Sequence, residues 1–427
     1  MTIAPWFHQL DADPELVLLV PSSSLVRLEP DHAAALSTGA VDAIDALRPW
    51  AVAVRGASPA TPRAPRALAL NVATSCNLGC AYCYADAGRF GGKARAGMTH
   101  ETAFAAIDAL LDGNHGGQVT LGFIGGEPFA NRALIHDAVA YAQTRGAEQH
   151  VTVGYSVTTN GTLLNDDDVA LLRRNAFAVT VSIDGGAALH DRLRPTAAGR
   201  GSFAAVVGGA APLLASPQGA RVAARATLTR LDLDVRRIID DLRAAGFTEI
   251  GVAPLRSSPR PELALTSAAD WAALLRGMRD AAAAEWDRLE RGEPPVFTNF
   301  VVAMREIARG SNRPLPCGAA DNYVSVSAEG KYSACHRTID DERFALGDLG
   351  SGLDDEARAA FLGERHVDRQ EPCRSCWARY LCGGGCHAEV ADHGRDGCDY
   401  IRGWLETCLS YYDRACDMRP DLFAAEG

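Results

Sequence analysis

The stretch Leu68-Ala-Leu-Asn-Val-Ala-Thr-Ser-Cys-Asn-Leu-Gly-Cys-Ala-Tyr-Cys-Tyr84 joins a short apolar run to three cysteines, Cys76, Cys80 and Cys83. An apolar run of this length, followed by a polar turn, predicts a buried strand. Three thiolates in a Cys-x3-Cys-x2-Cys spacing can hold three irons of a cubane [4Fe–4S] cluster and leave the fourth iron open to a ligand. Two other readings compete. A structural zinc site takes four ligands, usually as paired knuckles, which leaves Cys76 surplus. A redox Cys-x2-Cys pair also gives Cys76 no role.

The stretch resembles the signature of the radical S-adenosylmethionine (SAM) enzymes. The resemblance implies that the open iron holds the amino and carboxylate groups of SAM. It also implies that Tyr82 belongs to the cofactor pocket. An electron from the cluster would then cleave SAM to methionine and a 5′-deoxyadenosyl radical, with the hard chemistry carried by the cofactors.

At 427 residues, two or three domains are expected. With 47% hydrophobic and 22% charged residues the composition is that of a globular chain with a sizeable core. A formal charge of −11 disfavours a nucleic-acid partner. No apolar run reaches membrane-span length, and Met1-Thr-Ile-Ala-Pro5 has no basic segment leading an apolar one, so no membrane association and a cytoplasmic location are expected. Twelve cysteines in a reducing compartment point to metal rather than disulfides.

Three domains are expected. Residues 1–62 form an N-terminal piece, with strands at Leu16–Val20 and Val26–Leu28 and a helix from Ala33 to Leu47. It reads as a cap, or as a shortened peptide-recognition element. Residues 66–300 alternate strands with helices. The strands are expected at Ala67–Ala73, Val119–Ile124, Val151–Val157, Ala178–Ile183, Val222–Leu228 and Glu249–Ala253. Thr99 is expected to cap a helix, and the stripe Val235, Ile238, Ile239, Leu242 should end at Gly246. Six strand–helix units in order predict an α/β fold, a partial (β/α)6 TIM-like barrel, with ligands at the C-terminal strand ends. Residues 313–427, rich in Cys and Gly, form a second metal-bearing domain.

Each motif of the barrel falls where a strand ends. Gly125-Gly-Glu-Pro128 follows the second strand, and its glycines allow close backbone approach to a ligand. By resemblance, Gly125, Gly126 and Glu127 bind the amino group of SAM. Thr158-Thr-Asn-Gly-Thr162 follows the third strand, where Asn160 suits a nucleoside ribose; an ordinary Asn-Gly turn is the alternative. Ser182-Ile-Asp-Gly185, His190-Asp-Arg-Leu-Arg-Pro195 and Gly199-Arg-Gly-Ser-Phe203 follow the fourth. This run resembles the peptide- and protein-modifying branch of the family. The resemblance makes Ser182 and Arg194 candidates for the SAM carboxylate or ribose, with Arg225 on the fifth strand facing the same pocket.

The remaining nine cysteines comprise Cys317 and Cys335, the set Cys373, Cys376, Cys382, Cys386, and then Cys398, Cys408 and Cys416. Zinc ribbons are one reading. The spacing resembles the SPASM domain, a Cys-rich C-terminal domain that binds two auxiliary [4Fe–4S] clusters. That resemblance implies three [4Fe–4S] clusters and SAM as cofactors. The first auxiliary cluster would take Cys317, Cys335 and Cys386, and the second Cys373, Cys376, Cys382 and a late cysteine, with Cys398 favoured over Cys408 and Cys416. Fully ligated members of the family carry a further cysteine shortly before the position of Cys317; here Ser311–Pro316 has none, so one iron of the first auxiliary cluster is expected to be open unless Cys408 or Cys416 fills it.

The chain resembles SPASM-type peptide maturases, including thioether-forming ones, the quinohemoprotein amine dehydrogenase maturases and the anaerobic sulfatase-maturating enzymes. The implied partners are a ribosomal precursor peptide or protein as substrate and a flavodoxin- or ferredoxin-type electron donor. The expected reaction is a thioether link from a Cys sulfur to carbon. Carbon–carbon cross-linking and formylglycine formation are the enzymatic alternatives. A non-catalytic electron carrier is the alternative of another class, disfavoured because a pure carrier needs no nucleoside pocket.

Overall fold

A computed structural model describes residues 5–51, 62–88, 97–216 and 218–423. The chain begins with strands β1 (Phe7–Gln9), β2 (Leu16–Leu19) and β3 (Ser24–Arg27), then helices α1 (Pro30–Ser37) and α2 (Val41–Leu47). The single helix expected from Ala33 to Leu47 is thus two. The break falls at Gly39, whose φ of +76° lies in the left-handed region that glycine enters without steric cost.

Strand and helix then alternate: β4 (Ala67–Ala73), α3 (His100–Asp112), β5 (Gln118–Gly125), α4 (Arg132–Gln149), β6 (Thr152–Thr159), α5 (Asp166–Arg174), β7 (Ala178–Ser182), α6 (Ala187–Leu193), α7 (Phe203–Leu214), β8 (Arg221–Leu228), α8 (Val235–Ala244) and β9 (Ile250–Pro254). All six expected strands are present, with ends moved by one or two residues. The Thr99 hydroxyl accepts from the Thr102 backbone N–H at 3.2 Å and so caps α3. The long helix α9 (Ala268–Glu290) and α10 (Thr298–Ala308) follow. Short strands β10 (Tyr323–Val326), β11 (Lys331–Ser333), β12 (Ala345–Asp348) and β13 (Gly352–Leu353) come next, then α11 (Asp355–Arg365), α12 (Arg379–Cys382), α13 (His387–His393) and α14 (Cys398–Met418).

The described residues fall into two compact units. One holds 61–265 and 318–361, and is built on a mixed sheet of order β13-β12-β11-β10-β4-β5-β6-β7-β8-β9. Strands β4 to β9 are parallel neighbours in sequence order, as in Leu70 opposite Phe123 and Phe123 opposite Val157. Leu70, Val72, Leu121, Phe123, Val157 and Val181 are at most 2% exposed. A parallel sheet needs a crossover between strands, and the helices supply both the crossover and the apolar cover. Strand β10 adds parallel to β4, and β11 to β13 continue antiparallel. The sequence reading missed this extension, because strands of two to four residues give little periodic signal.

The other unit holds 1–60, 266–317 and 362–427. Segment 313–427, expected as one metal-bearing domain, is therefore divided between the two units. In this second unit α14 packs along α9 and α10. Trp404 of α14 lies against Phe297 and Phe300, with ring centroids 5.9 and 6.3 Å away. Gly383, Gly384 and Gly385 all have positive φ; a Cβ on Gly383 would sit 2.5 Å from the Cα of Pro316. Gly383 lets the Cys382–Cys386 loop close onto Leu315 and Pro316, just before Cys317.

No described helix is long and apolar enough to cross a membrane.

Candidate active site

The triad cysteines lie on the loop after β4, at the C-terminal end of the parallel strands. Backbone bonds hold that loop down: Gly79 N–H donates to Pro195 O, and Ala81 N–H to Leu193 O, both at 2.8 Å. The sulfurs collect donors. Leu78 N–H points to Cys76 Sγ and Ala87 N–H to Cys83 Sγ, each at 3.4 Å. Asn160 Nδ2 lies 3.7 Å from Cys76 Sγ, and Arg194 Nη1 3.9 Å from Cys80 Sγ. Burial pushes the Cys80 thiol up to about 12 and also raises that of Cys76. Neutral thiols gain little from such donors; cluster-bound thiolates gain much. Among the described residues no group of three or more His, Cys, Asp or Glu side chains converges on a single ion. A cubane takes one thiolate per iron corner, so a spread triad with N–H donors fits it better than it fits zinc.

The Gly125-Gly-Glu-Pro128 loop meets the cysteine loop directly. Gly126 N–H donates to Ala73 O at 2.8 Å and Glu127 N–H to Ser75 O at 2.9 Å. A Cβ on Gly125 would lie 2.5 Å from Ala73 O, and one on Gly126 would strike the Ser75 carbonyl. The glycines are thus required first by the protein's own backbone. The Glu127 carboxylate is fully buried and turned inward, accepting from Thr159 Oγ1 (2.7 Å), Asn160 N–H (2.7 Å) and Phe129 N–H (3.1 Å). Burial pushes its pKa up, and these donors oppose the shift. Rather than offering an open carboxylate, Glu127 ties the loop after β5 to the end of β6. Asn160 in turn donates to Asn77 Oδ1 at 2.9 Å, linking β6 back to the cysteine loop.

Tyr82 is 7% exposed, and its hydroxyl donates to Asp184 Oδ2. Arg194 Nε donates to the same oxygen at 2.8 Å, and Thr227 N–H donates to Asp184 Oδ1 at 2.9 Å. Asp184 was quoted in the sequence motif but not singled out, yet it is the centre of this network. Its signal was its place two residues beyond a strand end. Ser182 ends β7 half-buried, opposite Arg225 of β8, which is exposed. A second overlooked residue is Asn71 of β4: it is 1% exposed and its Oδ1 has no partner among the described residues, 3.1 Å from where a Gly125 Cβ would be.

Cys335 lies in this same unit. Ile339, four residues on, packs with Ala85, Cys83 and Ile124, and Arg337 stands 5.4 Å from the Tyr84 ring centroid. The other unit contains Cys317, Cys373, Cys376, Cys382, Cys386 and Cys398. Cys373 feels the charges of Cys382, Cys398 and Cys376, so these four are neighbours. Cys408 is fully buried in α14. Cys416 lies 18 residues beyond Cys398 on the same helix, about 27 Å along its axis.

Six parallel strands with a donor-rich thiol triad at their mouth define a radical SAM domain, and residues 70–216 match the radical SAM superfamily. Such a domain binds one [4Fe–4S] cluster and SAM. Beyond it, the chain is homologous to the anaerobic sulfatase-maturating enzymes. It is 25% identical to the serine-type enzyme of Klebsiella aerogenes over 349 residues, covering 79% of this chain and 84% of that one. Over 32% of its length it is 32% identical to the serine-type enzyme of Bacteroides thetaiotaomicron, covering 34% of that protein. Its fold is similar to that of native anSMEcpe with bound AdoMet, with TM-score 0.69, 19% identity, and coverage of 83% of this chain and 100% of that one. It also resembles Streptococcus suis SuiB bound to precursor peptide SuiA, with TM-score 0.53, 14% identity, and coverage of 86% and 80%.

Proposed function

We propose that this enzyme is a radical SAM peptide maturase that oxidises a side chain of a ribosomally made peptide or protein, and that the product is a thioether. The observation that carries the peptide-modifying reading is the extent of the relationship. It covers 79% of the chain, well beyond the cluster-and-SAM domain, and the relatives are maturases of a protein substrate.

In the barrel, Cys76, Cys80 and Cys83 would hold the SAM cluster, with Gly125, Gly126, Tyr82, Asn160, Ser182, Arg194 and Arg225 around the cofactor. When bound, the cluster and SAM supply a 5′-deoxyadenosyl radical. This chain's residues fix the pocket: Asp184 holds Tyr82 and Arg194, and Glu127 locks the Gly125–Gly126 loop to the cysteine loop. A first auxiliary cluster with an open iron, for lack of a cysteine in Ser311–Pro316, would favour the thioether over its alternatives. The burial of Cys408 in the helical core disfavours it as a fourth ligand. The nearness of Cys398 to Cys373, Cys376 and Cys382 favours it as the late cysteine of the second cluster.

The balance of the reaction is simple. The peptide loses a hydrogen atom from carbon to the adenosyl radical and a proton from sulfur. A C–S bond would form, and the electron released needs an acceptor, which an auxiliary cluster held by the C-terminal cysteines would supply. Formylglycine formation is the second reading, favoured by the names of the relatives. The test is anaerobic turnover of a Cys-bearing precursor peptide with SAM and reductant. Loss of two hydrogens and of the alkylatable thiol indicates the thioether. An aldehyde trapped by a hydrazine indicates formylglycine. Absence of 5′-deoxyadenosine would overturn both.

A further inference from the structure

Arg365, at the C-terminal end of α11, has no carboxylate partner among the described residues. Its Nε donates to His387 Nδ1 and its Nη1 to Gln370 Oε1, both at 2.9 Å. Its Nη2 is buried and has no hydrogen-bond partner among the described residues. A second guanidinium, that of Arg395, donates to the same Gln370 Oε1 and to Gly384 O. Two cations therefore converge on one neutral amide, and each opposes the other's charge. Both side chains are half-buried, but the Nη2 of Arg365 is a buried donor, and a buried donor left without an acceptor is costly.

Cys373, Cys386 and Cys317 lie near enough to Arg365 to act on it electrostatically, and Arg395 is as near to Cys373 and Cys398. In the ligand sharing proposed above, Cys317 and Cys386 belong to the first auxiliary cluster and Cys373 to the second. Arg365 thus stands among ligands of both. A [4Fe–4S] core held by four thiolates carries a net charge of about −2, and hydrogen bonds to its sulfurs and nearby charge set its potential.

We propose that Arg365 is a positioning residue that donates its free Nη2–H to the sulfur of an auxiliary cluster and raises the reduction potential of the auxiliary pair. This would make the pair a better acceptor for the electron that substrate oxidation releases. The inference rests on the auxiliary-cluster reading.

The test is anaerobic redox titration followed by electron paramagnetic resonance, with iron analysis, on reconstituted wild type, Arg365→Gln and Arg365→Lys. Wild type must first hold about twelve irons, three cubanes of four; about four irons would overturn the auxiliary-cluster reading itself. With twelve present, Arg365→Gln should shift at least one auxiliary potential downward and leave the SAM-cluster signal unchanged. Arg365→Lys, which keeps the charge, should recover most of the shift. Unchanged auxiliary potentials in Arg365→Gln would overturn the proposal. If Arg365→Gln loses auxiliary iron, Arg365→Lys decides: wild-type iron content with wild-type potentials supports the charge role, and equal loss of iron in both overturns it.

Discussion

Arg194 and Tyr82 share one acceptor: both donate to Asp184 Oδ2, and the Arg194 guanidinium lies 5.2 Å from the centre of the Tyr82 ring. The ring that precedes the third cysteine is thereby fixed to the loop after β7, although 102 residues separate Tyr82 from Asp184. Arg194 Nη1 then reaches Cys80 Sγ. One carboxylate sets the position of an aromatic wall and of a cation that reaches a cysteine of the triad.

Asp184→Asn should therefore act on stability and on cofactor handling together. The Arg194–Asp184 pair is at most 10% exposed on either side chain. Leaving the Arg194 charge buried without its carboxylate costs on the order of 3–5 kcal/mol. Denaturant unfolding should report that loss, and SAM binding should weaken. A variant with wild-type stability would show that the network is not what fixes Arg194.

Gly126→Ala places a Cβ against the Ser75 carbonyl, next to Cys76. The cysteine loop must shift, so iron content should fall by about four per chain, one cubane, and SAM cleavage should cease. Full iron with normal cleavage would mean that the two loops can separate without harm.

Replacing Cys76, Cys80 and Cys83 together by Ala should remove about four of about twelve irons and all 5′-deoxyadenosine formation. The remaining iron should be as stable to chelator as in wild type.

The late cysteines separate cleanly. Cys398→Ala should lose auxiliary iron, because Cys398 neighbours Cys373 and Cys376. Cys408→Ala should keep all the iron and cost about 1 kcal/mol through the small cavity it leaves. Iron loss in Cys408→Ala would reverse the assignment.

His190 gives a pH dependence. It is fully buried, and burial lowers its pKa from 6.5 to about 4. The unfolded chain then binds more protons below neutrality, so stability from this group is complete above pH 6.5 and falls as the pH drops toward 4. Between pH 7.5 and 5.5 the loss is about 1 kcal/mol. Urea unfolding at the two pH values, in wild type and His190→Gln, should show a smaller difference in the variant.

Much of the site was legible in the sequence for a local reason. The cysteines, the Gly125–Gly126 pair and Asn160 each follow a strand whose apolar pattern is readable, and in a parallel sheet those strand ends share one side. Glu127 was placed correctly in the chain but not in its contacts, since whether a carboxylate faces a ligand or three protein donors depends on β6. Asn71 carries no pattern of its own, and Asp184 only its place two residues beyond a strand end.

The sequence by itself determined the six-strand alternation, the cysteine spacings and the glycine-bearing turns, because strand periodicity, helix caps and tight turns are decided by neighbours along the chain. Only the tertiary structure decided that β10 to β13 extend the parallel sheet and that Cys408 is sealed while Cys398 lies near Cys373. It also decided that Asp184 unites Tyr82 with Arg194 and that Arg365 has a donor to spare. Each of these depends on burial and on partners far apart in sequence. The free energy of an unmade hydrogen bond or an unpaired charge is set by what surrounds it in space.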